Sequence, residues 1–190
     1  MKAELIKQLQ DYIPFNEQEE KDKEVIIEAL INHEDIFYRS NLMAHITVSA
    51  WVTNANRDKV LMAYHNIYDS WSWLGGHADG DEELLQVALK EVKEESGLEH
   101  VTPISSDIYS LEVLTVDGHM KHQAYVPSHL HLNLTYLIEA TEEETLQVKV
   151  DENSQLGWFS LEGAVQASSE PWFRDRIYSK LNEKLLKLKK

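Results

Sequence analysis

Three carboxylates stand close together in the middle of the chain: Glu91, Glu94 and Glu95. On an α-helix, positions i, i+3 and i+4 share a face, so these side chains meet on one turn. Like charges at that distance repel, and crowding them is costly unless a cation offsets the charge. An all-oxygen ligand set suits a hard divalent ion, Mg²⁺ above all. A glutamate-rich helix face is also an ordinary solvated surface, and the three residues alone leave both readings open. The preceding segment, Gly75-Gly76-His77-Ala78-Asp79-Gly80-Asp81-Glu82, shifts the weight toward the cation. Glycines reach backbone angles barred to other residues. A Gly-Gly turn feeding an acidic helix can bring backbone carbonyls toward the same ion.

The elements that must hold these groups follow from periodicity. A helix is predicted over 81–96, with Asp81 as N-cap, Glu82 and Glu83 in its favourable first turn, and Gly97 at C′. Its expected buried stripe is Leu85, Ala88, Leu89 and Val92. Before it the period is two. Ile46, Val48, Ala50 and Val52 alternate with Thr47, Ser49 and Trp51, a strand pattern, and Val60 to His65 returns after the turn residues 54–58. Further strands are expected at 108–116, 130–138 and 156–159. Residues 1–39 read as a helical hairpin, with Leu5, Leu9 and Ile13 on one apolar face, Ile26 and Leu30 on the other, and an Asn16/Glu19 capping box. A last helix should run from Pro171 to about Lys189. Strands around a central helix, with more helices at the ends, predict a mixed sheet with helices on it. The expected division is a helical extension over 1–40 and a main domain over 41–190.

Composition removes several function classes. The 190 residues hold 18 Lys+Arg against 33 Asp+Glu, a formal charge of −15. Such acidity argues against gripping nucleic acid through its phosphates. Residues 171–190 are locally basic, but cations at a helix C-terminus oppose the macrodipole, which accounts for them more simply. Cysteine is absent, so disulfides, thiolate metal sites and cysteine nucleophiles are excluded. No apolar run reaches the roughly 18 residues of a membrane span, and the amphipathic start is unlike a secretory leader. The expectation is a cytoplasmic protein.

Histidines form a second constellation: His119, His122, His129 and His131. His129 and His131 are two apart on a predicted strand and project to one face, while Leu130, Leu132, Leu134 and Tyr136 take the other. An H-x-H pair can ligate Zn²⁺ but needs at least one further ligand. Contacts to substrate phosphates and a purely structural role are the competing readings. His77 lies inside the glycine segment. Trp71, Trp73, Tyr68 and Tyr125 could stack on a base, although core packing is the default for aromatics.

Read from Gly76, the central segment resembles the Nudix box, G-x5-E-x7-R-E-U-x-E-E-x-G-U, where U is aliphatic. Gly76, Glu82, Glu91, Val92, Glu94, Glu95, Gly97 and Leu98 fill its fixed positions, and Lys90 replaces the arginine. A preceding hairpin and a late Gly157-Trp158-Phe159-Ser160-Leu161-Glu162 leading to a helix also fit. The resemblance implies an α/β/α sandwich with a mixed β-sheet, an α/β (α+β) fold carrying the N-terminal hairpin as an addition. It implies hydrolysis of a pyrophosphate bond in a nucleoside diphosphate linked to another moiety, with Mg²⁺ as cofactor and Mn²⁺ as substitute. Metal ligands would be Glu91, Glu94 and Glu95, helped by the carbonyl of Gly75 or Gly76. Glu82, Gly76, Lys90 and Gly97 would hold the loop–helix geometry.

The general base would be Glu94, Glu95 or a distal acid. Glu139, Glu142, Glu143, Glu144 and Glu152 are the candidates for the last, and Glu152 is preferred. Trp73, His77, His129 and His131 are the expected substrate contacts. Lysine offers a point charge where arginine offers a fork, so looser orientation of the carboxylates is expected. The expected partner is a small nucleotide-type molecule, not nucleic acid or membrane, with homodimerisation suggested by the family's habits. Two other readings compete: a Nudix-like ligand-binding or regulatory domain without turnover, and a histidine-metal enzyme on a Nudix scaffold.

Overall fold

The computed structural model describes residues 2–121, 123–148 and 153–188. In chain order its elements are α1 (Lys2–Asp11), α2 (Glu17–Asn32), β1 (Ala44–Thr53), β2 (Lys59–His65), β3 (Ser70–Ser72), β4 (Leu74–His77), α3 (Leu84–Ser96), β5 (Val101–Pro103), β6 (Ser110–Val116), β7 (His119–Lys121), β8 (Ala124–Val126), β9 (His129–Ala140), β10 (Asn153–Ser160), α4 (Leu161–Ala167) and α5 (Ser179–Leu188), the last preceded by a π-helical stretch at Phe173–Tyr178. Backbone pairing orders the strands β10-β2-β1-β9-β5, with β3 beside β2, β4 beside β1 and β6 beside β9, while β7 and β8 pair separately. This is the mixed α+β architecture that the pattern predicted. The chain clusters into two compact units: Met1–Val48, Gly76–Val87 and Ile108–Thr135 in one, Ser49–Gly75, Ala88–Asp107 and Tyr136–Lys190 in the other.

In the first unit, α1 and α2 form the expected hairpin. Leu5, Leu9, Ile26 and Leu30 are buried, and Asn16 Oδ1 caps α2 by accepting Glu19 N–H at 3.0 Å. The capping box is completed one residue early, because Glu19 Oε2 accepts Phe15 N–H at 2.8 Å. Ile13 departs from the expected apolar face. It lies beyond the end of α1 and is 88% exposed. Helix α2 docks on β6 through polar as well as apolar contacts. Asp22 accepts Val113 N–H at 3.1 Å. The Ser110 hydroxyl bridges two buried carboxylates, Glu19 at 2.8 Å and Glu112 at 2.5 Å. Tyr12 adds its hydroxyl to Glu19 at 2.6 Å. Asn133 and Thr135 donate to Glu112 at 2.9 and 2.8 Å, so these buried acids are well supplied with donors.

The first half of β1 does not alternate between inside and outside: after Ala44 it is buried on both faces. The polar members tolerate this where they find partners, as when Thr47 donates to Asn133 Oδ1 at 3.1 Å.

In the second unit, β2 is the spine, paired on one side with β10 from Ser160 to Asn153 and with β3 through Ala63, Tyr64 and His65. Trp51 on β1 is fully buried and stacks on Tyr178 at 5.3 Å between ring centroids. This explains why the outward position of a period-two pattern carries a tryptophan.

Candidate functional site: a carboxylate turn and a histidine cluster

Helix α3 starts later than expected. Asp81 is not its N-cap. The first helical N–H groups return to Glu83, whose carbonyl accepts from Gln86 and Val87 at 2.8 and 3.1 Å. Asp81 instead accepts Glu83 N–H at 2.9 Å, a local turn that holds the approach to the helix. Glu82 is therefore in the approach and not in the first turn. The buried stripe is also rotated. Leu84, Val87, Ala88 and Val92 are buried, whereas Leu85 and Leu89 are half-buried. That rotation carries Glu95 inward, leaving it 7% exposed, with Glu91 half-buried and Glu94 exposed. Gly97 ends the helix as expected, at φ 73°, its N–H on the Lys93 carbonyl at 2.9 Å.

Glu95 is the fixed point of the second unit's polar chemistry. Its Oε2 accepts Gly75 N–H at 2.9 Å, and its Oε1 accepts Asn153 Nδ2 at 3.0 Å. A buried carboxylate held by two N–H donors keeps further lone pairs for a cation. Asn153 is itself buried, and its Oδ1 has no hydrogen-bond partner. An orphan amide oxygen on the group that holds Glu95, beside a helix turn with three glutamates, is a donor set that fits a hard divalent ion. Asn153 carried no signal in the sequence, since only the β10 pairing places it there.

The Gly-Gly segment is not the turn that was expected. Gly75 and Gly76 belong to strand β4, and among the described residues the positive-φ glycines are Gly80 and Gly97. The bend after β4 is made by Asp79 at φ 49° and Gly80 at φ 91°, where a Cβ on Gly80 would stand 2.5 Å from the Tyr38 ring. Lys90 reaches Glu94 at 3.7 Å, an exposed i,i+4 pair. Such a pair contributes no more than about 0.5 kcal/mol. Among the distal acids, Glu142 is occupied by Lys59 at 2.5 Å and Asn54 at 2.8 Å. Glu144 is held by Glu99 N–H and the His100 ring. Glu152 lies outside the described residues. Trp73 meets Phe173 and Tyr178 edge-on, and Trp71 meets Tyr64 and Phe159.

The first unit brings the histidines together more fully than the sequence suggested. His129 and His131 do share a face, their Nε2 atoms 3.1 Å apart. They are joined by His77 at the end of β4 and by His45 on β1, which had not been singled out. His45 lies 5.1, 4.8 and 5.0 Å, between centroids, from the rings of His77, His129 and His131. The reason is strand order: β4 and β9 both flank β1, with Ala78 N–H on the Ile46 carbonyl and Leu130 N–H on the Met43 carbonyl. Four histidines from three strands thus become neighbours. His119 sits instead on the β7–β8 hairpin with its ring nitrogen at the Asp117 carbonyl. His122 is outside the described residues.

Burial and the neighbouring His77, His45 and His129 push His131 down to about 2, and burial lowers His45 as well. These imidazoles are neutral at ordinary pH. Arg39 grips Asp79 with two hydrogen bonds and holds its carboxyl below the usual carboxylate range.

Comparison with known proteins agrees with this picture. Residues 43–181 match the NUDIX domain. The chain belongs to the Nudix family. Hydrolysis of phosphorus-containing anhydrides, with divalent-metal dependence as the family's general habit, goes with that membership. No match was found among curated proteins. Among solved structures, a NUDIX-family hydrolase from Clostridium perfringens is 24% identical, with a TM-score of 0.54 over 76% of this chain and 97% of that one. An Ap4A hydrolase from C. elegans, in a binary complex, is 18% identical, with a TM-score of 0.53 over 75% and 96%. The E. coli dihydroneopterin triphosphate pyrophosphohydrolase is 14% identical, with a TM-score of 0.56 over 71% and 92%. At these identities the likeness is one of fold. Among the described residues no helix is long and apolar enough to cross a membrane.

Proposed function

We propose that this Nudix protein is a Mg²⁺-dependent hydrolase, with Mn²⁺ as a working substitute, that cleaves the pyrophosphate bond of a nucleoside diphosphate joined to a second moiety. The observation that carries the reading is the Glu95 carboxylate, buried and held by Gly75 N–H and Asn153 Nδ2. A surface glutamate would need neither burial nor two fixed donors. Glu91, Glu94 and Glu95 would hold the ion, with the Gly75 carbonyl as a further ligand. When bound, the ion screens the anionic substrate, lowers the pKa of an attacking water and stabilises the leaving phosphate.

The chain's own residues then divide the work. Asn153 and Gly75 fix Glu95, so this ligand needs no reorganisation on binding. Glu94, the exposed member of the turn, is suited to taking the water's proton. Glu152 is the alternative base, supported by its neighbour Asn153 being bonded to Glu95. Gly76, Glu82, Lys90 and Gly97 shape the box around these groups. The accessible part of Trp73 is the proposed contact to the substrate's base. The family match begins at residue 43, which supports treating residues 1–40 as an addition to a catalytic domain over 41–190.

A panel of ADP-ribose, dinucleoside polyphosphates, NADH, nucleotide sugars and nucleoside triphosphates, run with Mg²⁺, tests the reading. Release of phosphate or mononucleotide is expected for at least one compound, and its loss in Glu94→Gln or Glu95→Gln. Silence across the whole panel would instead favour a binding domain without turnover.

A further inference from the structure

We propose that His45, His77 and His131 form a binding site for a d-block divalent cation of the Zn²⁺ class, with His129 as the adjoining fourth nitrogen donor. One ligand nitrogen from each of the three lies within 4.8 Å of the others. A tetrahedral site with metal–nitrogen bonds of about 2.0–2.1 Å has nitrogens about 3.3 Å apart, so closure draws the ligand atoms in by up to about 1.5 Å. The His129–His131 pair already stands at 3.1 Å.

The hydrogen-bond directions favour a cation. A carbonyl can only accept, so His45 Nδ1, 3.1 Å from the Asn41 carbonyl, must carry its hydrogen there. Its Nε2 is then a bare lone pair. That atom is buried, on a residue 4% exposed, and has no hydrogen-bond partner. His129 repeats the arrangement, with Nδ1 donating to the Pro127 carbonyl at 2.8 Å and its Nε2 lone pair turned to His131. Backbone carbonyls that fix one ring nitrogen and present the other are the usual support of metal-binding histidines. In the metal-free protein His131 as the Nε2–H tautomer satisfies the contact with His129; on binding, the ring takes the Nδ1–H tautomer and turns its Nε2 lone pair to the ion.

Imidazole nitrogens select transition ions over Mg²⁺, so this site and the carboxylate turn would not compete for one ion. The inference does not rest on the hydrolytic reading. It concerns residues outside the carboxylate turn, and its test reads metal and not turnover.

Zn²⁺ titration of chelator-stripped full-length protein against a chromophoric chelator should give one tight ion per chain. Co²⁺-loaded protein should show the strong visible absorption of a four-coordinate site. Both signals should persist in the Glu91→Gln/Glu94→Gln/Glu95→Gln variant. They should weaken in His77→Ala and in His131→Asn by more than the 10–100-fold that a lost outer partner costs. His77 is half-exposed, so His77→Ala keeps the test alive if His131→Asn or His45→Gln fails to fold, with folding followed by circular dichroism. Absence of stoichiometric Zn²⁺, binding unchanged in the histidine variants, or binding lost in the glutamate variant would each overturn the proposal. Failure of the substrate panel would leave it standing.

Discussion

The carboxylate turn and the histidine cluster solve the same problem, crowding like donors, by opposite routes. Glu91, Glu94 and Glu95 are close because a helix makes i, i+3 and i+4 neighbours, and their repulsion is relieved by exposure of Glu94 and by donors on Glu95. His45, His77 and His131 are close because three strands run side by side, and burial keeps His45 and His131 neutral. One group is charged, oxygen-rich and local in sequence. The other is neutral, nitrogen-rich and assembled from separate segments. Charge state and ligand hardness therefore make the two regions answer differently to metals and to pH.

The largest separation is expected from Glu95→Gln. Replacing one carboxylate oxygen by an amide removes an anionic ligand and leaves one of the two N–H donors facing an amide N–H. Mg²⁺-dependent hydrolysis should fall by roughly 10²–10³-fold, the scale of a lost electrostatic stabiliser, while Zn²⁺ uptake stays unchanged. Equal loss of both would mean that the two regions act as one.

Acid should find the histidine cluster first. An imidazole held neutral in the folded chain is protonated in the unfolded chain below its ordinary value near 6.5. His131, held down to about 2, leaves stability untouched above pH 6.5. As pH falls from 6.5 toward 2, it should subtract up to about 1.4 kcal/mol per pH unit. Denaturant midpoints for wild type and His131→Asn should converge as pH is lowered; parallel curves would show that burial is not what sets the cluster's charge.

Asn153→Ala tests support and not ligation at the carboxylate turn. It removes the Asn153 donor from Glu95 Oε1 and should raise the Mg²⁺ concentration for half-maximal rate by about 10–100-fold, with the rate at saturating Mg²⁺ largely kept. The smallest effect is expected from Lys90→Arg. The Lys90–Glu94 contact is long and exposed, so a pair of about 0.5 kcal/mol allows a rate change of no more than about threefold. A larger gain would show that fork geometry orients the turn.

The contrast also explains what could be read from sequence. The carboxylate turn was legible because every fixed residue of the box lies within Gly76–Leu98. Its long-range support was not, since Asn153 reaches Glu95 only through the pairing of β10 with β2. The H-x-H pair on β9 was legible from a period of two. His45 was not, because it precedes the alternating run of β1 and nothing local marks it. Helix α3 was found, but two of its expected stripe residues, Leu85 and Leu89, proved only half-buried, and Asp81 lay outside it. Periodicity gives a face to within a residue, and tertiary packing chooses among neighbours. Ile13 was misread for a related reason: helical spacing continued past the point where the chain leaves α1.

The Ser110 bridge has a practical consequence for how this chain can be divided. Glu19 comes from the N-terminal hairpin, whereas Ser110 and Glu112 come from the strand beneath it, and all three are fully buried. Trimming the protein to its recognisable family span would remove Glu19 and Tyr12 together. It would open Glu112 to water on a surface shaped to be dry. Such a cut is expected to behave as a lesion in the protein's interior and not as the loss of a tail.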